Sequence, residues 1–231
     1  MFILAILLGL VPSFAWLIFF SREDVHPEPK KIIARTFIAG AAITFLAIFF
    51  QFYSLKFFRL IGFSEYNFYS FLAAATIEEV FKFLAAYLVI RKSRFFDEPI
   101  DAMIYMISAA LGFAAMENIF IAFNNIYFSD GGLNGVLGIL TLRFVGATLL
   151  HALASGIVGY YWAKGFKNIS VNIKVSVLKG LILASVLHAI FNYLILSYSG
   201  ILIIPILFIV IIALFLFRDF EKIKSFVKKP R

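Results

Sequence analysis

The chain contains no cysteine, which excludes disulfides and thiolate metal sites alike and leaves the redox compartment unreadable. Several marks of a hydrolase are missing too. There is no G-x-S-x-G elbow, no pair of aspartates within apolar runs, no H-E-x-x-H helix and no i,i+4 histidine pair. No internal repeat is visible, and Pro12 and Pro205 fall in the first and last apolar runs rather than in matching halves, so the broken-helix pattern of many transporters is absent. Polar sequence is scarce. The longest polar connection covers 21–35 and the only tail is the basic stretch 218–231, which leaves no room for a soluble domain.

What is present is apolar. Hydrophobic residues make up 63% of the chain, with 30 Phe among 231 positions and a mean hydropathy of +0.98, against the ~45–50% apolar content of soluble domains. Seven segments, 1–20, 36–57, 68–90, 100–123, 136–163, 174–197 and 200–217, have the roughly 17–25 residues that a helix needs to cross a hydrocarbon core. The expected fold is an all-α polytopic helical bundle, a single integral membrane domain over 1–231 with a catalytic core at 68–197. The first segment lacks a basic n-region and is followed by Ser-Arg-Glu-Asp, so it reads as a retained span.

A net charge of +8 raises nucleic acid as a partner, but the basic residues sit at the ends of apolar runs, where they act as membrane anchors. The 21–35 loop carries four, the 91–99 loop three, the 164–174 loop three and the tail six, all on one side of a seven-span arrangement. On the other side lie Lys56 and Arg59, and the 124–135 loop has no basic residue. The positive-inside rule then places the C-terminus in the cytoplasm and the N-terminus outside.

Four segments carry strongly polar residues deep in apolar context. The third has Glu78, Glu79 and Lys82, the fourth Glu117 and Asn118, the fifth Arg143 and His151, and the sixth His188 and Asn192. An ionised carboxylate at bilayer depth costs at least about 2.5–3.5 kcal/mol, so each needs a partner or a purpose. Lys82 lies within one helical turn of both glutamates but neutralises only one, which leaves a carboxyl over. His188 and Asn192 share one helix face, and His151, Ser155 and Gly159 form a stripe that ends in small residues and permits close helix approach. Counting residues from the span ends at about 1.5 Å each puts a Glu117–Arg143 pair near the outer face and a Glu78/Glu79–His151–His188 cluster below it. Segments three to six form the expected functional core, with one, two and seven as packing.

Two carboxylates and two imidazoles suit the activation of water. A poorly solvated glutamate is a competent general base, and a histidine with the Asn192 amide can hold an oxyanion. Glu and His are also zinc ligands. Metal-free glutamate chemistry is favoured, with no cofactor, and zinc is the near alternative, held then by Glu79, His151 and His188. Ser155 reads as packing rather than as a nucleophile.

E-E-V-F-K at 78–82, D-A-M-I-Y at 101–105, G-F-A-A-M-E-N-I at 112–119, L-L-H-A-L-A-S-G-I-V-G-Y around His151 and H-A-I-F-N at 188–192 resemble, in order, the motif series of PrsW-type intramembrane proteases. That family is distantly similar to the CAAX-prenyl endopeptidases. The resemblance implies peptide-bond hydrolysis in a membrane-anchored protein substrate, typically site-1 cleavage of a single-span anti-sigma factor on its extracytoplasmic side, within a prokaryotic cell membrane. It implies Glu78 and Glu79 as the base and His151, His188 and Asn192 as oxyanion support; Lys82, Glu117, Asn118 and Arg143, from the polar set above, are read as supporting residues. The competing expectation is an ion- or proton-coupled transporter, since intramembrane Glu, His and Lys also describe a relay.

Overall fold

A computed structural model describes residues 2–64, 66–128, 132–167, 172–198 and 202–227. Eight helices are formed among them: α1 (Phe2–Ser21), α2 (Lys30–Leu60), α3 (Phe68–Ile90), α4 (Pro99–Phe128), α5 (Gly132–Val145), α6 (Ala147–Lys167), α7 (Ile173–Ser197) and α8 (Ile203–Val227). Local signals set several starts. Asn67 Oδ1 accepts from Ser70 N at 2.9 Å to cap α3, Asn172 Oδ1 accepts from Lys174 N at 3.0 Å to cap α7, and Pro99 opens α4 where its missing N–H is not needed.

Among the described residues, six stretches are long and apolar enough to cross a membrane: α1, α2, α4, α5 with α6, α7 and α8. Between α5 and α6 the hydrogen-bond ladder runs on through Gly146, whose N–H reaches Leu142 O and whose carbonyl receives Leu150 N–H, both at 2.9 Å. The seventh expected segment, α3, has the length at 23 residues but carries Glu78, Glu79 and Lys82 in its middle. It packs along α2 and α7, and all three charged residues are buried, so this helix turns its charges into the bundle rather than toward lipid. Large apolar side chains such as Ile3, Leu60 and Leu214 instead stand exposed, as a lipid-facing surface requires.

Helix α4 is the axis. Every residue from 100 to 115 is buried, and it packs against α1, α2, α3, α5 and α6. A helix buried all round must be apolar or small all round. Its crossing with α2 is very close: a Cβ added at Gly112 would lie 1.9 Å from Phe37 O, and one added at Gly40 would lie 1.9 Å from Ala109 O. The two glycines are reciprocal, each clearing the other helix's backbone.

The basic connections gather at one end of the bundle. His26 Nδ1 lies 2.9 Å from Glu98 Oε1, Phe96 packs on Trp162 with ring centroids 5.1 Å apart, and Lys224 Nζ reaches Glu23 Oε2 at 2.6 Å. Parts of three expected polar segments, 129–131, 168–171 and 228–231, lie outside the described residues.

Substituting Gly112→Val forces a backbone clash that no rotamer relieves, so α2 and α4 must separate. Loss of more than the usual 1–3 kcal/mol of overpacking is expected. Thermal unfolding in detergent checks it, with Gly138→Ala, where nothing lies within 4 Å of the added carbon, expected to behave as the parent.

Candidate active site

Glu78, Glu79 and Lys82 lie on one face of α3 because positions three and four apart are neighbours on a helix. The Lys82 ammonium is fully buried and donates to Glu79 Oε1 at 2.8 Å, to Glu78 Oε2 at 3.3 Å and to His151 Nδ1 on α6 at 2.6 Å. It thus meets both acids rather than one, and its remaining face lies over the Phe113 ring, 4.7 Å from the centroid. Glu79 has no exposure. Its Oε1 also meets His188 Nδ1 on α7 at 3.1 Å, and its Oε2 accepts from Ser155 Oγ on α6 at 2.7 Å.

Above this group stands the second expected layer. Arg143 Nη2 donates to Glu117 Oε2 at 2.9 Å, Arg143 Nε to Asn118 Oδ1 at 2.5 Å, and Asn118 Nδ2 to Thr148 Oγ1 at 3.1 Å. His151 joins the layers: its Nε2 lies 2.9 Å from Glu117 Oε2 while its Nδ1 faces Lys82. The two imidazoles meet edge to face with centroids 4.9 Å apart.

These partners assign the tautomers. With Lys82 donating to Nδ1, His151 carries its proton on Nε2 and gives it to Glu117; with Glu79 accepting at Nδ1, His188 leaves Nε2 bare. Glu78 Oε2 lies 3.7 Å from His188 Nε2 and 3.8 Å from His151 Nδ1, so one carboxylate oxygen and the unprotonated nitrogens of both imidazoles converge, with Lys82 donating to the oxygen and to His151 Nδ1. The three ligand atoms all fall within 4.8 Å of one another. The donor types match a metal ion of the zinc type, which would take the place of the Lys82 ammonium at His151 Nδ1. Each histidine is moreover held at its other nitrogen by a carboxylate, the usual outer-shell support of histidine ligands.

Most sequence-predicted residues therefore meet in one network. Two points differ. The converging trio contains Glu78 where a zinc site with Glu79 was expected, because Glu79 is turned away toward Ser155 and the far nitrogen of His188. Asn192 is half-buried one turn beyond His188 and makes no hydrogen bond to the cluster among the described residues. Gln51 was missed: it donates from α2 to Glu78 Oε1 at 2.9 Å, so the second span is more than packing. Its signal was available, as the chain's single glutamine in the middle of an apolar run. Ser155, read as packing, is also a donor to the site.

The structure thus holds a buried carboxylate–imidazole network within a polytopic helical bundle. The model of the "PrsW family intramembrane metalloprotease" matches residues 28–217. Protease PrsW of Oceanobacillus iheyensis is 32% identical over 88% of both chains, that of Bacillus subtilis 28% over 94% of both, and that of Clostridioides difficile 27% over 99% of this chain and 93% of the relative. The chain belongs to the PrsW family of intramembrane proteases and is an integral, multi-pass protein of the bacterial membrane. No solved structure matches it.

Removing the ammonium alone tests the electrostatic arrangement. Lys82→Met leaves Glu78 and Glu79 buried without their cation, and a loss of about 3–5 kcal/mol in unfolding free energy is expected. The double variant Glu79→Gln with Lys82→Met should recover part of that loss. Unfolding midpoints of the two purified proteins in one detergent decide; equal midpoints would mean the pair is not coupled.

Proposed function

We propose that this chain hydrolyses a peptide bond of a membrane-anchored protein, at or near the extracytoplasmic face of the bilayer, with water activated between Glu78, His151 and His188. The observation that carries this reading is the convergence of Glu78 Oε2, His151 Nδ1 and His188 Nε2, with Glu79 and Glu117 holding the opposite imidazole nitrogens. A metal held by that trio supplies Lewis-acid activation of water when bound. Gln51 fixes Glu78 through Oε1, Ser155 and Lys82 fix Glu79, and Glu79 in turn orients His188. Glu117, with a quarter of its side chain exposed and held by Arg143, is the carboxylate that exchanges protons with solvent. The uncommitted Asn192 amide, one turn from His188, is the donor left over for the oxyanion of the tetrahedral intermediate.

A metal-free glutamic mechanism is the second reading, and Lys82 favours it. Its ammonium lies 2.6 Å from His151 Nδ1 and 3.3 Å from Glu78 Oε2, placing positive charge at the converging atoms without a metal. A glutamate of the pair then takes the proton from water directly, and the imidazoles support the oxyanion.

A helix hides its amide carbonyls in internal hydrogen bonds, so a target segment must unwind before attack. An apolar cavity of about 280 Å³ lined by Ile121, Leu142, Arg143, Phe191 and Ile206 opens beside the Glu117–Arg143 pair and offers such a segment a place. The substrate class we propose is a single-span anti-sigma factor or similar membrane-anchored regulator. The positive-inside rule supports a cytoplasmic side for the three basic connections and the basic tail, with the N-terminus outside.

Purified protein with a single-span substrate should release fragments whose masses place the cut near the extracytoplasmic end of the span. Glu78→Gln and Glu79→Gln should each lower turnover at least about 10²-fold. Zinc bound stoichiometrically, with activity lost to a chelator and restored by the ion, selects the metal reading; full activity in metal-free protein selects the glutamic one. A cut at the cytoplasmic boundary would sink the site assignment or the orientation.

Orientation has its own check. In this cysteine-free chain, Asn134→Cys should react with an impermeant maleimide added to intact cells, and Lys92→Cys only after permeabilisation. The reverse pattern would invert the topology.

A further inference from the structure

A second group of acids lies at the basic end of the bundle, remote in sequence from the glutamate–histidine network and unused by it. Asp24 and Glu28 come from the connection between α1 and α2, and Asp101 from the first turn of α4. All three are buried, Asp24 to 6% exposure, Glu28 to 9% and Asp101 to 1%, and one oxygen from each lies within 4.8 Å of the other two. Carboxylates so close and so dry repel one another unless a shared proton or a cation lies among them.

Their present partners leave one oxygen over. Glu28 and Asp101 hydrogen-bond each other through their side chains, which takes a shared proton. Asp101 Oδ2 accepts from the backbone N–H of Asp97 at 3.0 Å and of Glu98 at 2.7 Å, and Tyr105 donates its hydroxyl to Glu28. Asp24 Oδ1 accepts from His26 N at 3.0 Å. Asp24 Oδ2, however, is buried with no hydrogen-bond partner, and so is the nearby Glu98 Oε2. No lysine or arginine forms an ion pair with the three acids among the described residues, although Arg22 and Lys30 line the adjoining cavity. His26 is directed to Glu98 instead.

We propose that Asp24, Glu28 and Asp101 form a binding site for a hard divalent cation, Ca2+ or Mg2+, that ties the α1–α2 connection to the N-terminal turn of α4. The donor set is oxygen only, with no imidazole or thiolate in the trio, which selects hard cations over zinc. Three protein oxygens leave positions for water, and the cavity of about 610 Å³ lined by Asp24 and Glu28 between α1 and α2 supplies both the water and an entry path. The ion supplies the missing partner of Asp24 Oδ2 and offsets the repulsion among the acids. Through α4, which carries Glu117 and Asn118 at its other end, it also fixes the helix on which part of the hydrolytic network is mounted.

The full chain, purified in detergent with a chelator and then titrated with CaCl2 or MgCl2 at constant ionic strength, tests the site without recourse to activity. The unfolding midpoint should rise saturably, by about 5 °C or more at saturating ion. Tb3+, an oxygen-seeking surrogate, should show tyrosine-sensitised emission from Tyr105 beside Glu28, displaced by Ca2+. Asp24→Asn and Glu28→Gln should abolish both signals, whereas Glu78→Gln, in the other trio, should keep them. In chelator, Asp24→Asn should be at least as stable as the parent, because it removes a buried charge with no partner. The proposal is overturned by the absence of a saturable response to either ion, by a response that survives Asp24→Asn, by one lost in Glu78→Gln but kept in Asp24→Asn, or by an Asp24→Asn protein less stable than the parent in chelator.

Discussion

One ammonium group organises the centre of this molecule. Lys82 has no exposure, and an unpaired charge there would be prohibitively expensive, yet it touches two carboxylates, an imidazole and an aromatic face at once. Each of those partners is itself buried and held by a further group: Glu78 by Gln51, Glu79 by Ser155 and His188, and His151 by Glu117. The consequence is a closed polar network drawn from α2, α3, α4, α6 and α7, reached by Arg143 of α5. None of these helices can move without exposing a charge to an apolar surround. Apolar packing between membrane helices is poorly directional, because lipid tails compete on equal terms; the network supplies the specificity that packing lacks.

The same network sets the chemistry. Because Lys82 donates to Nδ1 of His151 and Glu79 accepts from Nδ1 of His188, the two imidazoles take opposite tautomers, and their unprotonated nitrogens, that of His151 already accepting from Lys82, lie near Glu78. Glutamates next to each other in sequence thereby acquire different work. Glu78 keeps slight access and faces the histidines' unprotonated nitrogens, while Glu79 is sealed and acts on His188 from behind. A carboxylate behind a histidine suits both hydrolytic readings, since it orients the ring whether the other nitrogen meets a metal or a developing oxyanion.

The architecture around the network follows from how closely helices approach. Gly40 and Gly112 bring α2 and α4 into backbone contact, and Gly159 does the same for α6 against Met103 of α4. The packing of α3 along α2 is what lets Gln51, on a helix expected only to pack, reach Glu78. The acidic group at the opposite end of α4 belongs to the same economy of charge, with three carboxylates in place of a mixed set.

The sequence by itself determined the membrane-spanning all-α fold, six of the seven crossing stretches by hydropathy alone, and most of the polar set, because a charged residue in an apolar run stands out whatever surrounds it. Even the layering of Glu117 with Arg143 above Glu78 with the histidines was legible, since depth along a helix is a matter of counting residues. Rotation about each helix axis and the order of helices around the bundle are not written in residue counts. Only the tertiary structure decided that Glu78 and not Glu79 converges with the histidines, that Gln51 and Ser155 belong to the site while Asn192 stands apart, and that Asp24, Glu28 and Asp101 meet at all. The physical reason is the same throughout: which side of a helix faces which neighbour is fixed by packing and by the pairing of buried charges across it, and both exist only once the bundle has formed.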